Sequence, residues 1–175
     1  MLKNQIIFLS IILAVSLNSV GQQIDVMTFN IRYNNPADSG NSWDNRKEAV
    51  VQLFNYYHPA VFGIQEGLYD QVTYLQNHLK NYDYIGAGRE DGKAKGEFAA
   101  IFYDTTVFEL IRQSTFWLSE TPDTVSVGWD AALERICTYG LFRHKISGQY
   151  IMVLNTHFDH VGVVARTESA RLLVR

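Results

Sequence analysis

Tyr150-Ile151-Met152-Val153-Leu154-Asn155-Thr156-His157-Phe158-Asp159-His160 decides the fold. An apolar run long enough for a buried strand stops abruptly, and five polar or ionisable groups follow within six residues. Ligands of α/β sheets bind at strand ends. Gathering such groups there costs free energy unless something uses them. Two other apolar runs end the same way. Ile24-Asp25-Val26-Met27-Thr28-Phe29 leads into Asn30, and Ala60-Val61-Phe62-Gly63-Ile64 leads into Gln65-Glu66.

Between these runs the pattern alternates. After the strand over 24–31, the stretch from Asn34 to Asn41 is rich in turn formers, and Ser42 is placed to cap a helix. Trp43, Arg46, Val50, Leu53, Phe54 and Tyr57 recur at helical spacing until His58-Pro59 stops them. A strand over 60–65 and a helix near 68–79 follow. Beyond Tyr84-Ile85 the sequence reads as strands over 98–103, 107–118, 136–144 and 149–155, with Ser147-Gly148 turning the last pair, then as a helix over 164–174. Strand–helix–strand–helix followed by a meander implies a mixed sheet rather than a doubly wound one.

A chain of 175 residues with 47% hydrophobic content has room for one domain with a real core. Its N-terminus reads differently: Lys3, the apolar stretch Ile6 to Val15 and the small residues Ser19-Val20-Gly21 form a signal-peptide pattern over 1–21. That stretch is shorter than the ~20 residues that span a bilayer, so no stable membrane insertion is expected after cleavage. A secreted or periplasmic protein starting near Gln22 is. Without Lys3, 14 basic residues face 18 acidic ones, a net charge of −4. This argues against tight, nonspecific binding of duplex nucleic acid. Cys137 is the only cysteine, so an intrachain disulfide is impossible, and its strand-like surroundings read as structural.

Met27-Thr28-Phe29-Asn30-Ile31-Arg32, Gly63-Ile64-Gln65-Glu66 and Asn155-Thr156-His157-Phe158-Asp159-His160 occur in the order of three motifs of the endonuclease/exonuclease/phosphatase family, which the chain resembles over residues 24–175. The resemblance implies an α/β (α+β) fold, the N-terminal part of a four-layer α/β/β/α sandwich of deoxyribonuclease I type. In that family two sheets pack face to face; here only the first sheet and the beginning of the second are expected. The family's later Gly-Asp-Phe-Asn and Ser-Asp-His motifs do not occur, and Leu172-Leu173-Val174-Arg175 reads as an uncapped helix. Residues 22–175 are therefore expected to be the N-terminal portion of a longer domain, inactive by itself.

The implied activity is hydrolysis of a phosphoester: a small molecule, a lipid headgroup or a nucleic acid. No protein partner is implied. Glu66 is the metal-ligand candidate, because a carboxylate at a strand end suits Mg²⁺ or Mn²⁺; the less favoured alternative is an acid at the N-terminus of the following helix. The resemblance places Asn30 beside the metal, orienting carboxylates or phosphate. It places His157 at the scissile phosphate, as a stabiliser of negative charge or as a general acid–base. Alternation puts Asn155, His157 and Asp159 on one face, with Asn155 as a phosphate contact, Asp159 as a catalytic neighbour, and His160 behind them or on the surface. Glu97, before the strand Phe98 to Tyr103, is expected to hold His157 or face the substrate. Arg135 matches a phosphate-contacting arginine of some relatives. The Gly86–Gly96 loop is not a phosphate loop, since Ala94 follows Lys93 and strand signals come next; it reads as a flexible substrate-side loop. Two other readings stay open: a binding protein without turnover, and a glycan hydrolase using a carboxylate pair such as Glu66 and Asp159.

Overall fold

The structure, a computed structural model, describes residues 23–174; the signal-peptide reading of 1–21 lies outside them. The chain runs β1 (Val26–Asn30), a 3-10 segment (Pro36–Asn41), α1 (Trp43–Tyr57), β2 (Val61–Gln65), α2 (Tyr69–His78), β3 (Tyr82–Ile85), β4 (Ile101–Asp104), β5 (Phe108–Trp117), β6 (Ile136–His144), β7 (Tyr150–Thr156) and α3 (Val163–Leu173). The helix after Asn41 starts at Ser42 as expected, although the Ser42 side chain makes no capping bond. It ends at His58, whose left-handed φ of 45° reverses the chain into β2. Tyr82–Ile85 is a strand that the sequence pattern does not separate from its surroundings.

Two sheets form. The first has the order β1-β2-β4-β3, with β1 parallel to β2 and the other pairs antiparallel. The second, β5-β6-β7, is an antiparallel meander. Its three strands are those expected over 107–118, 136–144 and 149–155. The pattern is mixed, as the alternation of elements requires, with two sheets and helices in the α/β arrangement that the resemblance implies.

Strand β2 explains the layering, because all five of its residues are buried. Phe62 and Ile64 point to the helical side, where Phe54 of α1 and Leu75 of α2 complete an apolar core. Phe62 stacks between Phe54 and Phe102 with ring centroids 4.0 and 4.9 Å away. Val61 points the other way, into a core shared with Ile101 and Tyr103 of β4 and Phe142 of β6. Each large apolar side chain so buried contributes about 1.5–3 kcal/mol. Strand β7, in contrast, is only half buried. Ile151 and Val153 face the first sheet, while Tyr150, Met152 and Leu154 are exposed. Its apolar run is thus a one-sided strand, not one buried on both faces.

A buried polar side chain joins the two sheets. Asn155 is buried, and its Nδ2 donates to the carbonyls of Ile64 (2.8 Å) and Ala100 (2.9 Å). Its Oδ1 accepts from Gln65 Nε2 at 2.7 Å. Gly63 lies against it: a Cβ there would come within 2.6 Å of the Asn155 amide. We predict that Asn155→Ala lowers stability by about 3 kcal/mol, because buried carbonyls and an amide lose partners. Gly63→Ala should cost about 1–3 kcal/mol by overpacking. Urea unfolding of both single variants and the double checks the contact. The two effects should fall short of additive, since removing the amide makes room for the new methyl; strict additivity would mean that the two residues do not meet.

Candidate functional site

Strand register brings the candidates together. β1 and β2 are parallel with Asn30 opposite Gln65, so Asn30 and Glu66 emerge side by side. β6 and β7 are antiparallel with Cys137 opposite Thr156, so Arg135, just before β6, emerges beside His157, just after β7. Phe98 bridges both Gly67 and Gly88, which carries Glu97 and the loop after β3 to the same rim. The result is a cleft of about 300 Å³ lined by Arg32, Tyr33, Glu66, Arg89, Glu97, Leu133, Arg135, His157 and His160.

Glu66 has a left-handed backbone, φ 63°. Asn30 Nδ2 donates to its Oε1 at 2.8 Å, and the Tyr33 N–H donates to Oε2 at 3.3 Å. Asn30 in turn accepts the Arg32 N–H on Oδ1 at 2.9 Å, so its amide presents nitrogen, not oxygen, to the carboxylate. Asn30 orients Glu66 and is not placed as a ligand.

His157 lines the cleft, half-buried, and its Nδ1 is buried without a hydrogen-bond partner. Burial pushes its pKa below the usual 6.5, and the neighbouring Arg135 adds to this against the opposing pull of Glu66 and Glu97. Glu97 does not hold it. Both Glu97 oxygens are taken by Arg89, through Nη1 to Oε2 at 2.9 Å and Nη2 to Oε1 at 3.2 Å.

Arg135 is buried but faces the cleft. Its Nε donates to Asp159 Oδ2 at 3.2 Å, and its Nη2 lies 3.0 Å from His160 Nδ1. Asp159 is a correction to the sequence reading: it is buried and lies outside the cleft lining. It accepts from the N–H groups of Val161 (2.9 Å), Gly162 (2.7 Å) and Ala132 (3.1 Å) as well as from Arg135. Burial alone would raise its pKa, but these donors together hold the carboxyl well below the carboxylate range. Its place after the strand end breaks the alternation that would have set it beside His157. Asn155 is the second correction, since its amide is spent between the sheets and has nothing to offer a phosphate.

Arg89, Arg32, Tyr33 and Leu133 are cleft residues that sequence reasoning misses. Arg89 belongs to the Gly86–Gly96 loop, which is tied rather than loose: Asp91 Oδ1 accepts from the N–H groups of Lys93 (2.8 Å) and Lys95 (2.9 Å), and Trp117 Nε1 donates to the Arg89 carbonyl at 2.8 Å. Nothing in the local pattern signals that role. Cys137 is fully buried, and desolvation pushes its thiol up to about 12, as a structural cysteine requires. Among the described residues no three His, Cys, Asp or Glu side chains gather as a ready metal cluster, and no helix is long and apolar enough to cross a membrane.

No protein-family model matches the chain. Among solved structures it is similar to an endonuclease/exonuclease/phosphatase from Bacteroides vulgatus, with 46% identity and a TM-score of 0.86 over 87% of this chain and 59% of that one. A mannosyl-6-phosphatase from Bacteroides thetaiotaomicron is similar at 44% identity and a TM-score of 0.85, over 87% of this chain and 58% of that one. An uncharacterized protein of Acanthamoeba polyphaga mimivirus is 29% identical over 127 residues, which are 67% of this chain and 46% of the relative. The chain thus spans less than two thirds of the length of each of these relatives.

Asp159→Ala should destabilise the fold by about 3–5 kcal/mol, because it leaves the Arg135 guanidinium buried without its counter-charge; thermal or urea unfolding measures this. The acid sensitivity has two windows. A depressed folded-state pKa means that the folded protein binds fewer protons than the unfolded chain, so stability falls with pH below the unfolded value. For His157 this loss begins below about 6.5, and for Asp159 below about 4. A proton NMR titration should place the His157 ring below 6.5; a midpoint above that value would contradict the desolvation assigned to it.

Proposed function

Because this chain belongs to the endonuclease/exonuclease/phosphatase family, we propose that the protein is a divalent-metal-dependent phosphoester hydrolase that is exported from the cytoplasm. The observation that carries this reading is one cleft holding an oriented carboxylate, a buried arginine and a half-buried histidine with a free ring nitrogen. The 44% identical mannosyl-6-phosphatase supports a small phosphomonoester as substrate, as does the net charge of −4 without Lys3. Export rests on the sequence pattern over 1–21.

The donor set fits Mg²⁺ or Mn²⁺. Such ions take oxygen ligands, and Mg²⁺ commonly relies on one or two carboxylates with water and substrate phosphate for the rest. Glu66 would hold the ion; Asn30 and the Tyr33 N–H keep its carboxylate aimed. When bound, the ion polarises a phosphoryl oxygen as a Lewis acid.

The chain's own groups do the remainder. Arg135 is fixed through Nε and Nη2, so Nη1 is what it can offer a phosphoryl oxygen. His157 meets the phosphate as a neutral imidazole, and its ring N–H donates to the oxygen on which negative charge builds. The carboxylate-pair glycan hydrolase loses its partner residue, because Asp159 is buried and fully occupied. A binding protein without turnover is the remaining rival, and assay decides between them.

In the whole protein, Mg²⁺- or Mn²⁺-dependent cleavage of 4-nitrophenyl phosphoesters is the expected outcome, and activity that survives exhaustive EDTA treatment would rule out the metal role. Glu66→Ala should weaken metal binding measured by calorimetry. His157→Ala should lower kcat by roughly 10²–10³, the usual loss for a transition-state donor, with metal affinity little changed. Turnover of His157→Ala at the parent rate would remove the residue from the reaction.

A further inference from the structure

The Arg89–Glu97 pair has no part in the chemistry just described, yet the fold invests a whole loop in holding it. Gly88, on which the loop turns, has no room for a side chain: a Cβ there would lie 2.1 Å from the Lys95 carbonyl oxygen. The Arg89 N–H donates to the Glu97 carbonyl at 3.2 Å, and the Trp117 indole fixes the Arg89 carbonyl. The two side chains then meet fork to fork, 11% and 19% exposed, in the cleft that holds Glu66, Arg135 and His157. Arg89 Nε is buried and unpartnered.

A guanidinium already matched to a carboxylate is a poor site for a second phosphate, because the pair is neutral and the Glu97 carboxylate repels an anion. Glu97, in turn, cannot take a metal without leaving Arg89 buried and unpaired, which is costly. What the pair can still do is meet a group that is donor and acceptor at once. Each carboxylate oxygen keeps a lone pair beyond the one used by Arg89, and the guanidinium keeps N–H groups outside the fork. A hydroxyl satisfies both. The cleft, at about 300 Å³, lies at the small end of ligand sites. Tyr33 is the one Phe, Tyr or Trp side chain in its lining, which is little for stacking nucleotide bases.

We propose that Arg89 and Glu97 are the specificity-determining residues of this site and read the hydroxyls of the ester's alcohol half. The preferred substrate is then a phosphate monoester of a small polyol such as a sugar. This rests on the phosphoester-hydrolase reading, and the test separates the two. A site built to bond hydroxyls discriminates strongly against an analogue that lacks them, since its own polar groups are then left unpaired.

The experiment compares mannose 6-phosphate with n-hexyl phosphate, two primary alkyl esters of similar intrinsic reactivity, in the whole protein with Mg²⁺ or Mn²⁺. The wild type should favour the sugar ester by about 10-fold or more in kcat/KM. Arg89→Lys, which keeps the charge but not the fork, and Glu97→Gln should each shrink that ratio about 10-fold, chiefly through KM for the sugar ester. A wild type that does not discriminate overturns the proposal whatever the variants do. So does a parallel fall on both esters, which would make the pair merely structural. If neither ester is hydrolysed, the hydrolase reading fails, and calorimetric binding of the same two phosphates to the wild type still decides: tighter binding of the sugar ester supports the hydroxyl assignment, and equal or absent binding refutes it.

Discussion

The amide of Asn155 is the interaction on which the site depends. It ties the end of β7 to the carbonyls of Ile64 and Ala100 and to the side chain of Gln65, so the ends of the two sheets are fixed to one another by directional bonds rather than by packing alone. Apolar contacts between sheets tolerate sliding; a buried amide whose donors and acceptor are all engaged does not, because any shift leaves a polar group unpaired. Glu66 follows β2 by one residue and His157 follows β7 by one. Their separation across the cleft is therefore set two residues or fewer from a rigid joint, the kind of support that reacting groups need.

Around that joint the charges are arranged in pairs. Arg135 with Asp159 and Arg89 with Glu97 are both largely desolvated, and each would cost free energy if either partner were removed. Glu66 is the exception, as a carboxylate held by an amide and a backbone N–H but by no cation. Arg32, itself paired with Asp38, acts on Glu66 only through space, and His157, between cationic and anionic neighbours, is tuned mainly by burial.

Much of this was legible in the sequence. Strand ends marked by Asn30, Glu66 and His157 are unambiguous because apolar runs stop there, and helices α1 and α2 follow from spacing and from the His58-Pro59 stop. The misreadings have physical reasons. Period-two alternation does not reach Asp159, because the strand ends at Thr156, so Asp159 turns inward to gather N–H groups. Asn155 is on the expected face, yet that face looks at the other sheet rather than at solvent. The Gly86–Gly96 loop carries no pattern that distinguishes a tied loop from a loose one, because Trp117, which holds it from outside, is remote in sequence, and Asp91 and Glu97, which hold it from within and beside, look like ordinary charged loop residues. β7 reads as fully buried because exposed Met152 and Leu154 are as apolar as the buried Ile151 and Val153 beside them.

The backbone at Glu66 sets stability and chemistry against each other. A left-handed conformation costs a residue with a Cβ about 1 kcal/mol that glycine avoids, and the two hydrogen bonds that the Glu66 carboxylate accepts are solvent-exposed and return little of it. Substitution of Glu66 by Gly or Asn should therefore leave the protein as stable as before or more so. In a lineage released from selection on the cleft, drift would run downhill at this position first. A copy of this fold with Gly or Asn after the β2 motif would then be the mark of a protein that has kept its architecture and given up its reaction.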